Sequence, residues 1–155
     1  MIAINAMLRE IKKHFADAKM AYLAYIESIA PPTSVVPDKD VFLEYAPFEK
    51  YTAKGDNAEE LILRELNMLE PLMELFGKED AKLLEYWYDN SMFSSWKKPP
   101  AKFVLNGEMM QKDIAEYRKR GFDYISTFAC FLGKDYEELY GDVSVTPFAE
   151  CVISG

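Results

Sequence analysis

The fold depends on residues 79–95, which read EDAKLLEYWYDNSMFSS. Leucines and aromatics recur in this stretch at helical spacing, so we predict a helix over 79–95. Its inward face would hold Leu83, Leu84, Trp87 and Tyr88. Because Tyr86, Trp87 and Tyr88 are consecutive, a helix cannot bury all three on one face. At least one of these aromatic rings should therefore reach the surface.

The preceding segment predicts another amphipathic helix, which begins with a capping-box-like Asp56–Glu59. Gly77 should end this helix and Pro71 should kink it. The stripe that faces the core holds Ile62, Leu66, Leu69, Met73 and Phe76. Glu65 falls inside the apolar arc. An ionised carboxylate is costly to bury unless it is paired, so we expect a structural or an exposed role for Glu65 rather than a catalytic one.

Two further seams predict helices at the ends of the chain. Apolar residues alternate at spacings of four and three over residues 4–29, which predicts one long helix stopped by Pro31. This seam should pack within the chain, and a homodimer through residues 4–29 is the alternative. A similar seam follows Asn106 and runs to Phe131, with Gly121 as a break. Residues 135–140 predict a short final helix.

Residues 31–55 form a proline-rich excursion that still carries apolar side chains, and Asp40–Tyr45 within it is typical of one short strand. Together these elements predict an all-α fold, an antiparallel bundle of four to six helices with the excursion packed over it. The length of 155 residues suits a single domain over residues 1–155.

Charge is unevenly distributed along the chain. The net charge is −8, and residues 56–89 contribute −7 of it, from ten acids and three bases. Residues 97–120 are basic. With an overall negative charge, nucleic acids and anionic membranes should repel the molecule. No signal-peptide pattern and no membrane-length apolar run is evident, so we expect a cytoplasmic protein without membrane association and with reduced thiols.

Motifs for catalysis or metal binding are lacking. His14 is the single histidine, and the two cysteines, Cys130 and Cys151, form no CxxC pair. Cys130 has apolar sequence neighbours, which favours an inert buried thiol. We therefore predict no metal, no cofactor and no enzymatic activity.

The first functional hypothesis is a non-enzymatic acidic protein-interaction domain, which binds and inhibits or adapts a partner with a basic surface. In composition it resembles the small acidic inhibitors that phages and mobile elements direct against host defence nucleases, so its acids would present a nucleic-acid-like anionic surface. Exposed aromatics would add binding energy. The predicted contact set is Glu59, Glu60, Glu70, Glu74, Glu85, Tyr86, Trp87, Tyr88, Asp89 and Trp96.

Two alternatives remain. Gln111–Ala115 resembles the opening, and Phe122–Gly141 the closing helices, of phage-repressor-type helix-turn-helix domains, although the interval between them is too short for a recognition helix. This resemblance implies a nucleic-acid-associated subunit that uses the basic stretch 97–120. Its contacts would be Lys97, Lys98, Lys102, Lys112, Arg118, Lys119 and Arg120. The second alternative is a small-molecule-binding or enzymatic helical bundle with a pocket near Glu65.

Overall fold

The chain is a mixed α/β structure in a computed structural model that describes residues 1–52, 55 and 57–153. Asp56, the first residue of the predicted capping box, lies outside the described residues. The four strands are β1 (Met20–Ala24), β2 (Val41–Tyr45), β3 (Lys82–Asp89) and β4 (Tyr124–Cys130). The helices are α1 (Ile2–Lys12), α2 (Glu49–Thr52), α3 (Ala58–Phe76), α4 (Asn90–Phe93), α5 (Gly107–Arg120), α6 (Lys134–Tyr140) and α7 (Thr146–Ile153), with a short 3-10 helix at Ile26–Ile29.

The strands form one parallel sheet in the order β1-β2-β3-β4. Met20 of β1 pairs with Val41 of β2, and Tyr45 of β2 pairs with Leu83 of β3. Parallel strands need crossover connections, and the helices between the strands provide most of them. The predicted all-α helical bundle is therefore wrong.

The main error lies in residues 79–95, where strand β3 replaces the predicted helix. A parallel strand covered on both faces reads as a continuous apolar run, and such a run has no periodicity that separates it from a buried helix. Tyr86, Trp87 and Tyr88 are 7%, 3% and 1% exposed, since a strand can bury consecutive residues on its two faces. Their aromatic character, which favours strands, was the signal that pointed to β3.

Strands also replace the far ends of both terminal seams. The predicted helix over 4–29 ends at Lys12, and β1 follows, so one continuous helical seam over 4–29 does not form. The homodimer stays a prediction. The seam after Asn106 ends at Gly121, whose φ of 100° is left-handed, and β4 then begins. The helix-turn-helix resemblance fails for the same reason, because Phe122–Gly141 contains β4.

Several other predicted elements are confirmed. Strand β2 lies within the predicted Asp40–Tyr45, and α3 contains Pro71 and ends before Gly77. The side chain of Asn106 caps α5 by accepting a hydrogen bond from the backbone amide of Met109 at 3.0 Å. Helix α6 matches the predicted short helix. These helices were predictable because each has one buried face and recognisable end residues.

The chain divides into two compact units, Met1–Leu84 and Glu85–Gly155. In the first unit, α1 and α3 contact the sheet, and the rings of Tyr22 and Phe76 stack at 4.9 Å. In the second unit, α5 contacts α7, and α4 contacts β4. The prediction of a single domain stays a prediction.

Two further observations concern membrane-spanning helices and the state of the cysteines. Among the described residues, no helix combines the length and the apolar character needed to cross a bilayer. Cys130 and Cys151 are both free thiols.

Candidate functional site

The candidate site lies in the second unit, at the carboxyl ends of β3 and β4. Ligands of parallel α/β sheets bind outside the carboxyl ends of the strands, where the loops and helix starts converge. Strand β3 ends at Asp89 and β4 ends at Cys130. The Cys130 thiol donates a hydrogen bond to Asp89 Oδ1 at 2.8 Å, so the two strand ends contact each other directly.

Asp89 is the most informative residue of this site. It is 2% exposed, and its Oδ1 accepts from the Ser91 amide at 2.9 Å, from the Ser91 hydroxyl and from Cys130. The contact with the Ser91 amide caps the short helix α4. All three hydrogen bonds end on Oδ1, and Oδ2 receives none from the described residues. One carboxylate oxygen is therefore fully used for structure and the other retains its accepting capacity.

Asn90 follows Asp89 and is fully buried. Its Nδ2 donates to the carbonyl oxygens of Ala101 at 2.9 Å and Phe131 at 3.4 Å, which fixes the orientation of the amide. Its Oδ1 has no hydrogen-bond partner among the described residues. An unpartnered buried acceptor costs about 1–3 kcal/mol, so this position is polar at the expense of stability.

The backbone around the site is strained. Phe131 directly follows β4 and has φ of 57°, and Ser95 and Trp96, in the connection between β3 and α5, have φ of 51° and 58°. A bulky side chain in the left-handed region costs about 1–3 kcal/mol, and such residues concentrate at functional sites. The strain in the second unit thus lies in the segments that follow the carboxyl ends of its strands.

A cavity of about 700 Å³ opens beside Cys130. This volume falls within the range typical of small-molecule sites. Its lining includes two acids and neither lysine, arginine nor histidine, and polar and apolar atoms contribute about equally to its surface. The lining residues are Tyr88, Ala129, Cys130, Phe131, Leu132, Gly133, Glu137, Asp142, Val143 and Val145.

Two titratable groups of this lining, Cys130 and Tyr88, have a raised pKa. Burial raises the pKa of the Cys130 thiol, and the hydrogen bond to Asp89 raises it further. Burial likewise raises the pKa of Tyr88, whose hydroxyl donates to the Ser144 carbonyl at 3.1 Å. A protonated thiol is a poor nucleophile, so Cys130 acts as a hydrogen-bond donor to Asp89.

A second buried carboxylate belongs to β3 itself and links this strand to α5. Glu85 is fully buried, and its Oε1 accepts from the Tyr117 hydroxyl at 2.8 Å. Trp87 Nε1 donates to Asp113 Oδ2 at 2.9 Å. Because Tyr117 and Asp113 both belong to α5, these contacts fasten β3 to that helix and hold the strand that ends at Asp89.

The contact set predicted for a protein partner divides into exposed and buried residues. Glu85, Tyr86, Trp87, Tyr88 and Asp89 are buried in β3, so a partner cannot touch them in this structure. Trp96 is 65% exposed. The four predicted contact glutamates of α3 are also exposed: Glu59, Glu60, Glu70 and Glu74.

The exposed side of α3 combines acids with apolar residues. Leu63 and Leu66 are 50% and 40% exposed. A shallow groove of about 560 Å³ runs along this helix, lined by Glu59, Glu60, Leu63, Arg64, Asn67 and Met68. We refer to the groove residues, with Leu66, Glu70 and Glu74, as the α3 face.

Most charges of the predicted nucleic-acid stretch are paired within the chain. Lys98 pairs with Asp135, Lys112 with Glu108, and Lys119 and Arg120 with Glu116. Arg118 donates to the carbonyls of Phe122, Asp123 and Val152, so it fastens the end of α5 to α7. Lys97 and Lys102 are exposed and form no ion pair within the described part of the chain. The stretch is therefore not a continuous surface of available cations.

Glu65 is buried at 2% exposure, inside the apolar arc where the sequence placed it. Its Oε1 accepts from the Phe48 amide at 2.7 Å, and both of its oxygens lie within 3.2 Å of the Glu49 amide nitrogen. These backbone amides open α2, so Glu65 caps that helix from a distance in sequence. Its position is explained by structure alone.

Sequence reasoning missed Asn90, Ser91, Glu137 and Asp142 as site residues and assigned Cys130 to an inert core. The signal was the run Asp89-Asn90-Ser91, because polar residues directly after a buried strand are typical of a strand's carboxyl end. The predicted helix hid this signal. For metals, the described residues contain no group of three or more His, Cys, Asp or Glu side chains arranged to hold an ion.

Comparison with known proteins adds no assignment. No protein-family model, no curated protein and no solved structure matches this chain.

Proposed function

We propose that the second unit binds a small molecule in the cavity at the carboxyl end of β4, beside the Asp89–Cys130 contact. The observation that carries this proposal is the coincidence of the cavity of about 700 Å³ with a buried carboxylate that has one unpartnered oxygen. Binding sites in parallel sheets occupy this position.

The energetics of the site support the proposal. Buried polar groups are normally satisfied, and each exception calls for an explanation. Asp89 and Asn90 are buried with accepting capacity to spare, and Phe131 is strained beside them. A chain that only needed a stable core would replace such residues with apolar ones. Ligand binding explains why polar groups stand there.

The proposal is one of binding without chemistry. The raised pKa of Cys130 keeps the thiol protonated near neutral pH, and no lining residue can serve as a neighbouring imidazole base. The proposal also retains a cytoplasmic location, which would keep both free cysteines reduced.

The test is a fragment screen on the 155-residue chain, followed by amide NMR. We expect binders to shift the signals of residues 129–133, which line the cavity. Val145→Trp should fill part of the cavity and abolish binding, because Val145 lines it and is 63% exposed. The matched control is Val104→Trp, in the same unit, at a residue that is 76% exposed and does not line the cavity. Equal binding by the two variants would overturn the proposal.

A second candidate function is protein binding through the α3 face in the first unit. It is favoured by exposed leucines beside exposed glutamates, a combination that suits a partner with a basic and apolar surface. In this second candidate function, the chain acts as an inhibitor or adaptor that presents a nucleic-acid-like anionic surface to its partner. It needs only the part of the predicted contact set that lies on α3.

Charge reversal tests this second candidate. Replacing Glu59, Glu60, Glu70 and Glu74 with lysine should abolish capture of a partner from cells of the source organism while preserving the circular dichroism spectrum. The control reverses four other exposed acids of the first unit, Glu10, Asp17, Glu27 and Glu79, which gives the same net charge. Loss of capture in both variants would indicate attraction by total charge and would exclude a specific α3 face.

A further inference from the structure

We infer that the ligand of the cavity is an organic cation, an amine or guanidine with an apolar body, and that Asp89 Oδ2 accepts one of its N–H donors. This inference rests on the small-molecule binding proposed above and specifies its ligand. It combines the charge of the lining, the free oxygen of Asp89 and the apolar walls.

The lining has carboxylates and no cation. Glu137 and Asp142 line the cavity, and the lining set contains neither lysine, arginine nor histidine. Lys98 lies near the lining, with its Nζ 4.7 Å from the centre of the Phe131 ring, and it is paired with Asp135. Lys134 follows the lining residue Gly133 in the chain but does not itself line the cavity. An anionic ligand would meet uncompensated like charge, which costs affinity.

Asp89 does not itself line the cavity, and its Oδ2 adds an acceptor that is not fully enclosed. The side-chain nitrogen and oxygen atoms of the described chain that are both fully enclosed and unpartnered are Asn90 Oδ1 and Arg118 Nε. Asp89 Oδ2 also lacks a donor but is not among these enclosed atoms. Its neighbour on the same carboxylate bonds to Cys130, which lines the cavity. A hydrogen bond between an ammonium group and this carboxylate would be charge-assisted, the stronger class of hydrogen bond.

The remaining walls are apolar. Ala129, Leu132, Val143 and Val145, with the ring of Phe131, provide the surface that would cover a ligand body. A polyol would leave most of this surface against hydroxyl groups, whereas an amine with a hydrocarbon body matches both the acids and the walls. The chemistry of the lining thus favours the cation.

The experiment compares three probes of similar size on the 155-residue chain: benzylamine, benzyl alcohol and benzoate. Dissociation constants come from amide NMR titrations at residues 129–133. We expect benzylamine to bind about tenfold more tightly than benzyl alcohol, the difference between a charge-assisted and a neutral hydrogen bond. Benzoate should produce no shifts. Raising the salt concentration should weaken benzylamine alone.

Variants locate the effect. Glu137→Gln and Asp142→Asn should each weaken benzylamine about two- to fivefold, as expected for exposed carboxylates, and leave benzyl alcohol unchanged. Glu138→Gln is the control, because Glu138 is exposed on the same helix and does not line the cavity. Asp89→Asn should weaken benzylamine about tenfold or more, with a dispersed amide spectrum as the check on folding.

The outcomes distinguish a failure of the organic-cation inference from a failure of the proposed small-molecule binding. Equal affinity for benzylamine and benzyl alcohol would overturn the inference that the ligand is an organic cation. Equal weakening of benzylamine binding by Glu138→Gln and Glu137→Gln would overturn it as well. Either result would leave the cavity as a small-molecule site. Binding of benzoate in preference to benzylamine would do the same. If no compound of any charge shifts residues 129–133, the proposed function fails together with the inference.

Discussion

Glu65 and Asp89 are both 2% exposed carboxylates, yet the chain treats them differently. Glu65, in the first unit, uses both oxygens to accept from the amides of Phe48 and Glu49. Asp89, in the second unit, takes all its hydrogen bonds on Oδ1. Both oxygens of Glu65 therefore accept hydrogen bonds that stabilise the fold, whereas one oxygen of Asp89 accepts none from the described residues.

This difference shows how to separate a structural buried acid from a candidate ligand-binding acid. Burial alone does not distinguish them, since a buried carboxylate of either kind must be satisfied or costs several kcal/mol. The two kinds of acid differ in how hydrogen-bond donors are distributed over the two carboxylate oxygens. Each experiment below tests one side of the contrast.

The largest effect is expected at Glu65. Glu65→Ala leaves the half-buried amides of Phe48 and Glu49 without their acceptor, so urea unfolding followed by circular dichroism should show a loss of about 3 kcal/mol. Glu74→Ala, on the exposed side of the same helix, should change stability by less than about 0.5 kcal/mol. Similar losses in both variants would show that Glu65 does not act as a cap.

A smaller stability loss is expected at Asp89. Asp89→Asn keeps an oxygen for Ser91 and Cys130 and places an amide where Oδ2 stands, so we expect a loss of about 1 kcal/mol in the same assay. The stability loss should therefore be larger for Glu65→Ala than for Asp89→Asn. If Asp89→Asn destabilises as much as Glu65→Ala, then Asp89 is also a structural acid.

The next effect is on the reactivity of Cys130 rather than on folding. In a Cys151→Ser background, alkylation by iodoacetamide should follow a pKa above the ordinary thiol value, and unfolding in urea should lower this pKa. Since the folded pKa is raised, the contribution of Cys130 to stability is complete below the unfolded thiol pKa and is lost as the pH rises through the folded value.

Adding Asp89→Asn to that background tests the charge of Asp89. The substitution removes the negative charge, which is one of the causes that raise the Cys130 pKa, so alkylation at a fixed pH of about 8.5 should become faster. An unchanged or slower rate would contradict an effect of the Asp89 charge on the thiol.

The smallest effect concerns an exposed acid that has a single cation as its partner. Hydrogen bonding to Lys98 lowers the pKa of Asp135 below its ordinary value. Lys98→Met should therefore raise the Asp135 pKa in a carbon-detected NMR titration. Because the folded pKa is lowered, the contribution of this pair is present above the unfolded carboxyl pKa and is lost as the pH falls. An Asp135 pKa that does not move would contradict the ion pair.

The same two acids show how far the sequence could be interpreted. Helix α3 was predictable because its apolar stripe repeats at helical spacing, and that correct helix is what placed Glu65 inside the core. Asp89 was assigned to a helix surface because β3 has no alternation of polar and apolar residues. The site depended on strands, and a strand buried on both faces carries no period that a single sequence can reveal. The approach of Cys130 to Asp89 is a long-range contact that no local pattern encodes.

The two tryptophans provide a label-free reporter of these questions. Both belong to the second unit: Trp87 is 3% exposed and donates to Asp113, whereas Trp96 is 65% exposed. Indole emission therefore reports on the second unit alone, while acrylamide quenching separates the enclosed fluorophore from the solvated one. Emission and circular dichroism recorded in one denaturation would show whether the half of the chain with the cavity melts together with the half that has no tryptophan.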